Sequence, residues 1–209
     1  MAKYNKAKKK LIYRDWDEFY SIQEARSGKQ KPFDPKDKPH IAHDLKRFMR
    51  LVGRKKKVLD AGCRDGWAMS FLKKRGYESV YGFDVVKKNV DFCQSQGLTV
   101  EIADAENMQN YEADTFDAVF CRHVLEHVMN PQAALKEFAR VLKPGGVFYC
   151  VVPFERKGTI PRVKYGHSYI FNDISELIGM CKGKFRKISV IKSEKTRSTE
   201  SGTYVGRKP

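Results

Sequence analysis

The sequence predicts a doubly wound α/β domain, a mostly parallel sheet covered by helices on both faces. Three observations carry that expectation. From residue 58 onward, short apolar runs rich in valine, phenylalanine and tyrosine alternate with stretches of helical period. Three of these runs end in an acid, at Asp60, Asp84 and Asp104. The first run leads through a turn bearing Gly62 and Gly66 into a helical stretch starting at Trp67, and glycine there lets a ligand approach bare backbone.

Taken in order, residues 1–10 hold five lysines and no acid and are expected as a disordered basic arm. Across residues 13–25, Trp16, Phe19, Tyr20 and Ile22 recur at near-helical spacing and predict a first helix. Residues 27–39 contain three prolines and many charges, which reads as loop. A second helix is expected over residues 40–51, with Ile41, Leu45, Phe48 and Met49 as its apolar stripe and Gly53 as its stop. The chain thus divides into the arm (1–10), a helix and loop expected as a lid (11–39), and the main domain (40–209).

Within that domain, residues 80–84 predict a second strand, residues 86–96 a helix and residues 99–104 a third strand. A fourth strand is expected over 116–121, followed by residues 123–128. Pro131 opens a helix that Lys143, Pro144, Gly145 and Gly146 end. Residues 147–152 are almost uniformly apolar, as in a strand buried on both faces. A last helix is expected over 171–180, then two strands, 185–191 and 202–205, as an antiparallel pair.

Composition narrows the class. With 41% apolar residues in 209, the chain builds a full core. It has no apolar run near the ~18 residues of a membrane helix. No apolar stretch follows the N-terminal lysines, so a secretory signal is not expected either, and a cytoplasmic location is. Five widely spaced cysteines without a C-x-x-C predict reduced, buried thiols. The net charge of +16 sits mostly on the ends: residues 182–209 carry nine Lys/Arg against Glu194 and Glu200. Such ends either dock phosphate backbones or stay solvated.

The turn itself excludes a dinucleotide site. G-x-G-x-x-G fails because Arg64 stands at the second glycine position. Asp60 would repel a pyrophosphate and suits a cationic ligand bearing an amino group. The stretch 58–66 resembles the first motif of class I S-adenosylmethionine-dependent methyltransferases, [DE]-x-G-x-G-x-G, matching at Asp60, Gly62 and Gly66 and departing at Arg64. Two further segments, 116–127 and 139–146, look like the fourth-strand segment and the turn before the fifth strand of that family's broad branch with small-molecule members. The resemblance covers roughly residues 40–209 and implies a Rossmann-like, seven-stranded sheet, mostly parallel with an antiparallel C-terminal strand pair.

By resemblance, Asp60 contacts the methionine part of S-adenosylmethionine, and the backbone at Gly62 and Cys63 shapes the turn beneath it, with Gly66 opening the helix. Asp84 accepts from the ribose hydroxyls, and Val85 packs on adenine. Asp104 accepts from the adenine amino group, with the Ala105 N–H on a ring nitrogen. The Cys121 carbonyl accepts from the ammonium. Arg64 either crowds the methionine part or, with negative φ, points to solvent.

His123-Val124-Leu125-Glu126-His127 matches H-x-x-E-H, an inverted zinc-protease signature. Metal binding there requires both histidines on one helical face and a third ligand from elsewhere. The segment begins at a strand end, so no metal is expected. His123 is the candidate catalytic residue, orienting the acceptor or taking its proton. The chain has no N-P-P-Y after the fourth strand and no Pro-Cys nucleophile, since Phe154 follows Pro153. The expectation is a methyltransferase acting on a small molecule through alignment, with the acceptor entering beneath the lid and residues 154–170. A nucleic-acid methyltransferase docked by basic termini, and a non-catalytic cofactor- or nucleic-acid-binding module, stay open.

Overall fold

The computed structural model describes residues 3–5, 10–12, 16–26, 29–154, 167–192 and 200–209. Its elements are β1 (Lys3–Asn5), β2 (Lys10–Ile12), α1 (Trp16–Arg26), α2 (Pro39–Met49), β3 (Val58–Ala61), α3 (Trp67–Lys73), β4 (Val80–Asp84) and α4 (Lys87–Ser95). There follow β5 (Thr99–Ile102), β6 (Phe116–Arg122), α5 (Pro131–Val141), β7 (Leu142–Phe154), α6 (Ile174–Cys181), β8 (Arg186–Lys192) and β9 (Glu200–Arg207).

Seven strands form one sheet in the order β5-β4-β3-β6-β7-β9-β8. β3 pairs in parallel with β4 on one side and β6 on the other. The chain therefore winds outward from β3 in both directions, as the alternating pattern predicts. β9 inserts between β7 and β8 and runs antiparallel to both, so it alone runs against the sheet.

Side-chain alternation along β7 builds the two halves of the core. Phe148, Cys150 and Val152 join α5 and α6 on one face. Val147, Tyr149 and Val151 join α2, α3 and α4 on the other. Phe48 of α2 packs edge-on against Phe120 and Tyr149, with ring centroids 5.4 and 5.8 Å away. Phe148 stacks on Phe185 at 4.4 Å. A fully buried phenylalanine contributes roughly 2–3 kcal/mol, so this aromatic spine anchors α2 and β8 on the sheet.

Helix starts follow local chemistry. The Asn130 side chain accepts the N–H groups of Gln132 and Ala133, with Pro131 in the first turn of α5. Asp173 caps α6 through the Ser175 N–H at 2.8 Å.

Lys3–Asn5 pairs antiparallel with Lys10–Ile12, and residues 1–2 and 6–9 of the basic arm lie outside the described residues. Residues 123–128, which follow β6, form turns. One expected boundary moves. Gly145 and Gly146 do not separate α5 from the fifth parallel strand. The Gly145 N–H donates to the Lys208 carbonyl at 2.9 Å and the Lys208 N–H to Gly146 at 3.0 Å, extending β7 back to Leu142.

Candidate functional site

β3 reverses its neighbours' winding, and ligands of open α/β sheets bind beyond the carboxyl ends of the strands at such a switch point. A cleft of about 810 Å³ opens there. Asp60, Gly62, Cys63, Arg64, Asp84, Val85, Asp104 and Ala105 line one part, and His123, His127 and His167 line another. α1 contributes Phe19 and Gln23 to the wall.

The turn after β3 is left-handed at three places, Gly62 (φ 63°), Arg64 (φ 52°) and Gly66 (φ 68°). At Gly62 a Cβ would lie 2.8 Å from Val124 Cγ2, so the bare backbone is needed for close packing as well as for conformation. Arg64 adopts the conformation a glycine would favour, with its side chain exposed and its φ positive rather than negative. What the turn uses is its backbone: the Arg64 N–H donates to Asp84 Oδ2 at 2.9 Å. Gly66 does not line the cleft; it faces Leu98, 2.3 Å from where its Cβ would stand, and starts α3.

The three strand-end acids differ. Asp60 is 4% exposed, and its Oδ2 has no hydrogen-bond partner among the described residues. Burial first, then Asp65 and Asp84, push its carboxyl up to about 8, against the pull of Lys38. Lys38 itself is held 2.6 Å from Asp65. Asp84 accepts from the N–H groups of Arg64 and Val86 at 2.9 Å and from Asn89 Nδ2 at 3.1 Å. Burial raises its carboxyl, while those three bonds oppose the rise. Of roughly four acceptor positions on a carboxylate, three are taken, leaving one toward the cleft. Asp104 accepts the Tyr20 hydroxyl at 3.0 Å and the Glu106 N–H at 2.8 Å, so α1 already touches the residue expected at the adenine amino group.

The side chain of Cys121 does not line the cleft. β6 runs one residue further, to Arg122, and Cys121 is buried with its thiol 3.9 Å from Cys150. Phe120 and Arg122 line the cleft in its place, and Arg122 is fixed by Asp44 of α2 at 2.8 Å. Cys63 is 5% exposed beside the turn; its bond with Cys93, then burial, raise the thiol well above its usual range. Tyr13, Arg156, Lys157, Arg162, Lys164 and Tyr165, expected around the acceptor, lie outside the described residues.

Glu126 carried no role of its own in the sequence reading, yet it is the organising group of the opposite wall. It is 1% exposed, and its Oε1 stands 3.0 Å from His123 Nδ1 and 4.0 Å from His127 Nε2. Burial would raise this carboxyl, but His123 first, then His127 and His167, outweigh it and hold it at about 2. His123 has φ 56° and is tied by its N–H to the Val151 carbonyl at 2.9 Å.

This cleft fits S-adenosylmethionine: a buried carboxyl with one oxygen unpartnered among the described residues, which a cationic group would draw into its ionised form, a glycine cradle, and two further acids at or just beyond the ends of the next two strands. Comparison with known proteins agrees. Residues 59–150 match the family model described as methyltransferase domain. The chain is 29% identical over 170 residues to the tRNA U34 carboxymethyltransferase of Campylobacter hominis, covering 75% of this chain and 59% of that protein. It is 29% identical over 151 residues to the ubiquinone biosynthesis O-methyltransferase of Neisseria meningitidis serogroup C, covering 64% and 63%. The phosphoethanolamine N-methyltransferase 2 of Haemonchus contortus, solved with S-adenosyl-L-methionine, superposes with a TM-score of 0.70 at 15% identity, over 91% of this chain and 56% of that one. The chain spans about 60% of the length of these two curated relatives.

Residues 59–150 thus match a methyltransferase domain, and the fold is that of solved methyltransferases. Among the described residues no helix is long and apolar enough to cross a membrane.

Proposed function

We propose that the chain transfers a methyl group from S-adenosylmethionine to a small-molecule acceptor, chiefly by holding the two reactants in line. Bound S-adenosylmethionine supplies an activated methyl group on a sulfonium, so the protein's task is alignment and exclusion of water. In this reading Asp60 takes the ammonium of the methionine part, Asp84 the ribose and Asp104 with Ala105 the adenine. His123, steadied by Glu126, faces the acceptor.

One observation carries the small-molecule reading. Two basic residues of the C-terminus, Arg207 and Lys208, are engaged at the far end of the sheet. Arg207 donates to the Gly145 carbonyl at 2.8 Å, and Lys208 pairs with Asp114 at 2.6 Å and the Leu142 carbonyl at 2.7 Å. Arg186 stands in register beside Arg207, opposite the start of β7. All lie at the amino ends of the parallel strands, away from the cleft. The relative that acts on tRNA favours a second reading, an RNA acceptor reached through the N-terminal lysines.

The test is transfer of radiolabelled methyl from S-adenosylmethionine into a cell extract, fractionated afterwards. Label in the low-molecular-weight fraction is expected. Label that nuclease releases from RNA would replace the small acceptor, and no protein-dependent label in any fraction would end the methyl-transfer reading.

A further inference from the structure

Glu126, His127 and His167 converge on the acceptor side of the cleft. One ligand atom from each lies within 4.8 Å of the others. Glu126 is 1% exposed, and its Oε2 has no hydrogen-bond partner among the described residues.

The scaffold around these groups is fixed by backbone bonds. The N–H groups of Ser168 and Tyr169 both donate to the Glu126 carbonyl, at 2.6 and 3.0 Å, and the Ser168 hydroxyl donates to the His127 carbonyl at 2.9 Å. These bonds staple the chain beside His167 to the 126–127 turn. The rings of His127 and His167 meet edge to face with centroids 5.1 Å apart. A second imidazole is thus delivered beside His127 from a segment 40 residues further along the chain.

We propose that Glu126, His127 and His167 bind a divalent cation, where the sequence led us to expect none, and that its open coordination position faces the cleft. Two imidazoles and one carboxylate form the donor set of open, three-ligand zinc sites, and mixed nitrogen and oxygen donors also suit manganese or iron. They do not suit calcium or magnesium, which take oxygen-rich cages. Tetrahedral ligands at 2.0–2.2 Å from a metal stand roughly 3.4 Å apart, so closure asks for a side-chain movement of about 1 Å. Both histidines are only half-buried. His123, 3.0 Å from Glu126 Oε1, orients the carboxylate from the other side. That the open position takes an oxygen of the methyl acceptor rests on the proposed methyl transfer; the cation site itself does not.

The test uses protein purified without a histidine tag, stripped with chelator and titrated calorimetrically with Zn²⁺, Mn²⁺ and Mg²⁺ separately. One equivalent of zinc or manganese is expected with micromolar or tighter affinity, and Mg²⁺ at least tenfold weaker. His167→Ala and His127→Ala should each weaken zinc binding at least tenfold, with circular dichroism showing that the metal-free variants remain folded. Glu126→Gln should abolish it, and if that buried variant fails to fold, His167→Ala decides. No stoichiometric binding of zinc or manganese, or binding that His167→Ala leaves intact, overturns the site. S-adenosylhomocysteine is titrated in parallel on the metal-free protein. Its failure to bind would count against the methyl-transfer reading and leave the metal result standing.

Discussion

The carboxylate of Asp84, at the end of β4, accepts the backbone N–H of Arg64, in the turn after β3, at 2.9 Å. That bond joins the two strand ends that frame the cofactor cleft, and it uses Arg64 only through its main chain. Arg64→Gly should therefore keep the bond and relieve the left-handed strain of a side chain at φ 52°, raising stability by up to ~1 kcal/mol. Arg64→Pro removes the N–H and forbids the positive φ, and should lose both stability and cofactor affinity. Urea unfolding of the two variants separates them.

Asp84→Ala leaves the Arg64 and Val86 N–H groups and the Asn89 amide without their acceptor. A destabilisation of about 2–4 kcal/mol is expected, since each stranded buried donor costs about 1–3 kcal/mol and water recovers part of it. Cofactor affinity should fall with it. Denaturant midpoints read the first effect and calorimetry the second; an unchanged midpoint would mean that the turn is not held by this carboxylate.

The strand-end acids were legible in the sequence because short apolar runs mark where strands stop, and the acids at their ends fall on one edge of a parallel sheet. Asp60, Asp84 and Asp104 meet in the cleft for that reason. The end of the fourth strand was set one residue short: β6 continues to Arg122, and pattern alone does not locate a strand's last hydrogen bond. The Gly145-Gly146 break was overridden by pairing with Lys208, more than 60 residues away in sequence. Glu126 was hidden for the same reason. Its burial and the approach of His167 come from tertiary stapling, which leaves no periodic signal.

Asp60 should make stability fall as pH rises. Its carboxyl in the folded chain is pushed up to about 8, by burial and then Asp65 and Asp84, with Lys38 opposing. The unfolded value is near 3.9. Between those limits the folded state holds the proton and the unfolded state does not. The group's favourable contribution is therefore complete below about pH 4 and is lost as pH climbs toward 8. Asp60→Asn should flatten that slope, gaining a few kcal/mol on the wild type at pH 8 relative to pH 5 by the linkage relation. Parallel slopes for the two proteins would show that Asp60 is ionised throughout.

Gly62→Ala tests the cradle. The new Cβ would meet Val124 Cγ2 at 2.8 Å and sit at φ 63°, and a loss of ~1–3 kcal/mol is expected from strain and overpacking together. Val124→Ala in the same chain should restore the packing part alone. Thermal unfolding of the single and double variants gives both terms.

The most direct measurement is a calorimetric titration of the wild-type chain with S-adenosylmethionine. One molecule per chain with micromolar affinity, about −8 kcal/mol, is expected, weakened at least tenfold in Asp60→Asn because the ammonium loses its anion. Heats no larger than dilution for the wild type, or full affinity in Asp60→Asn, would contradict the site described here.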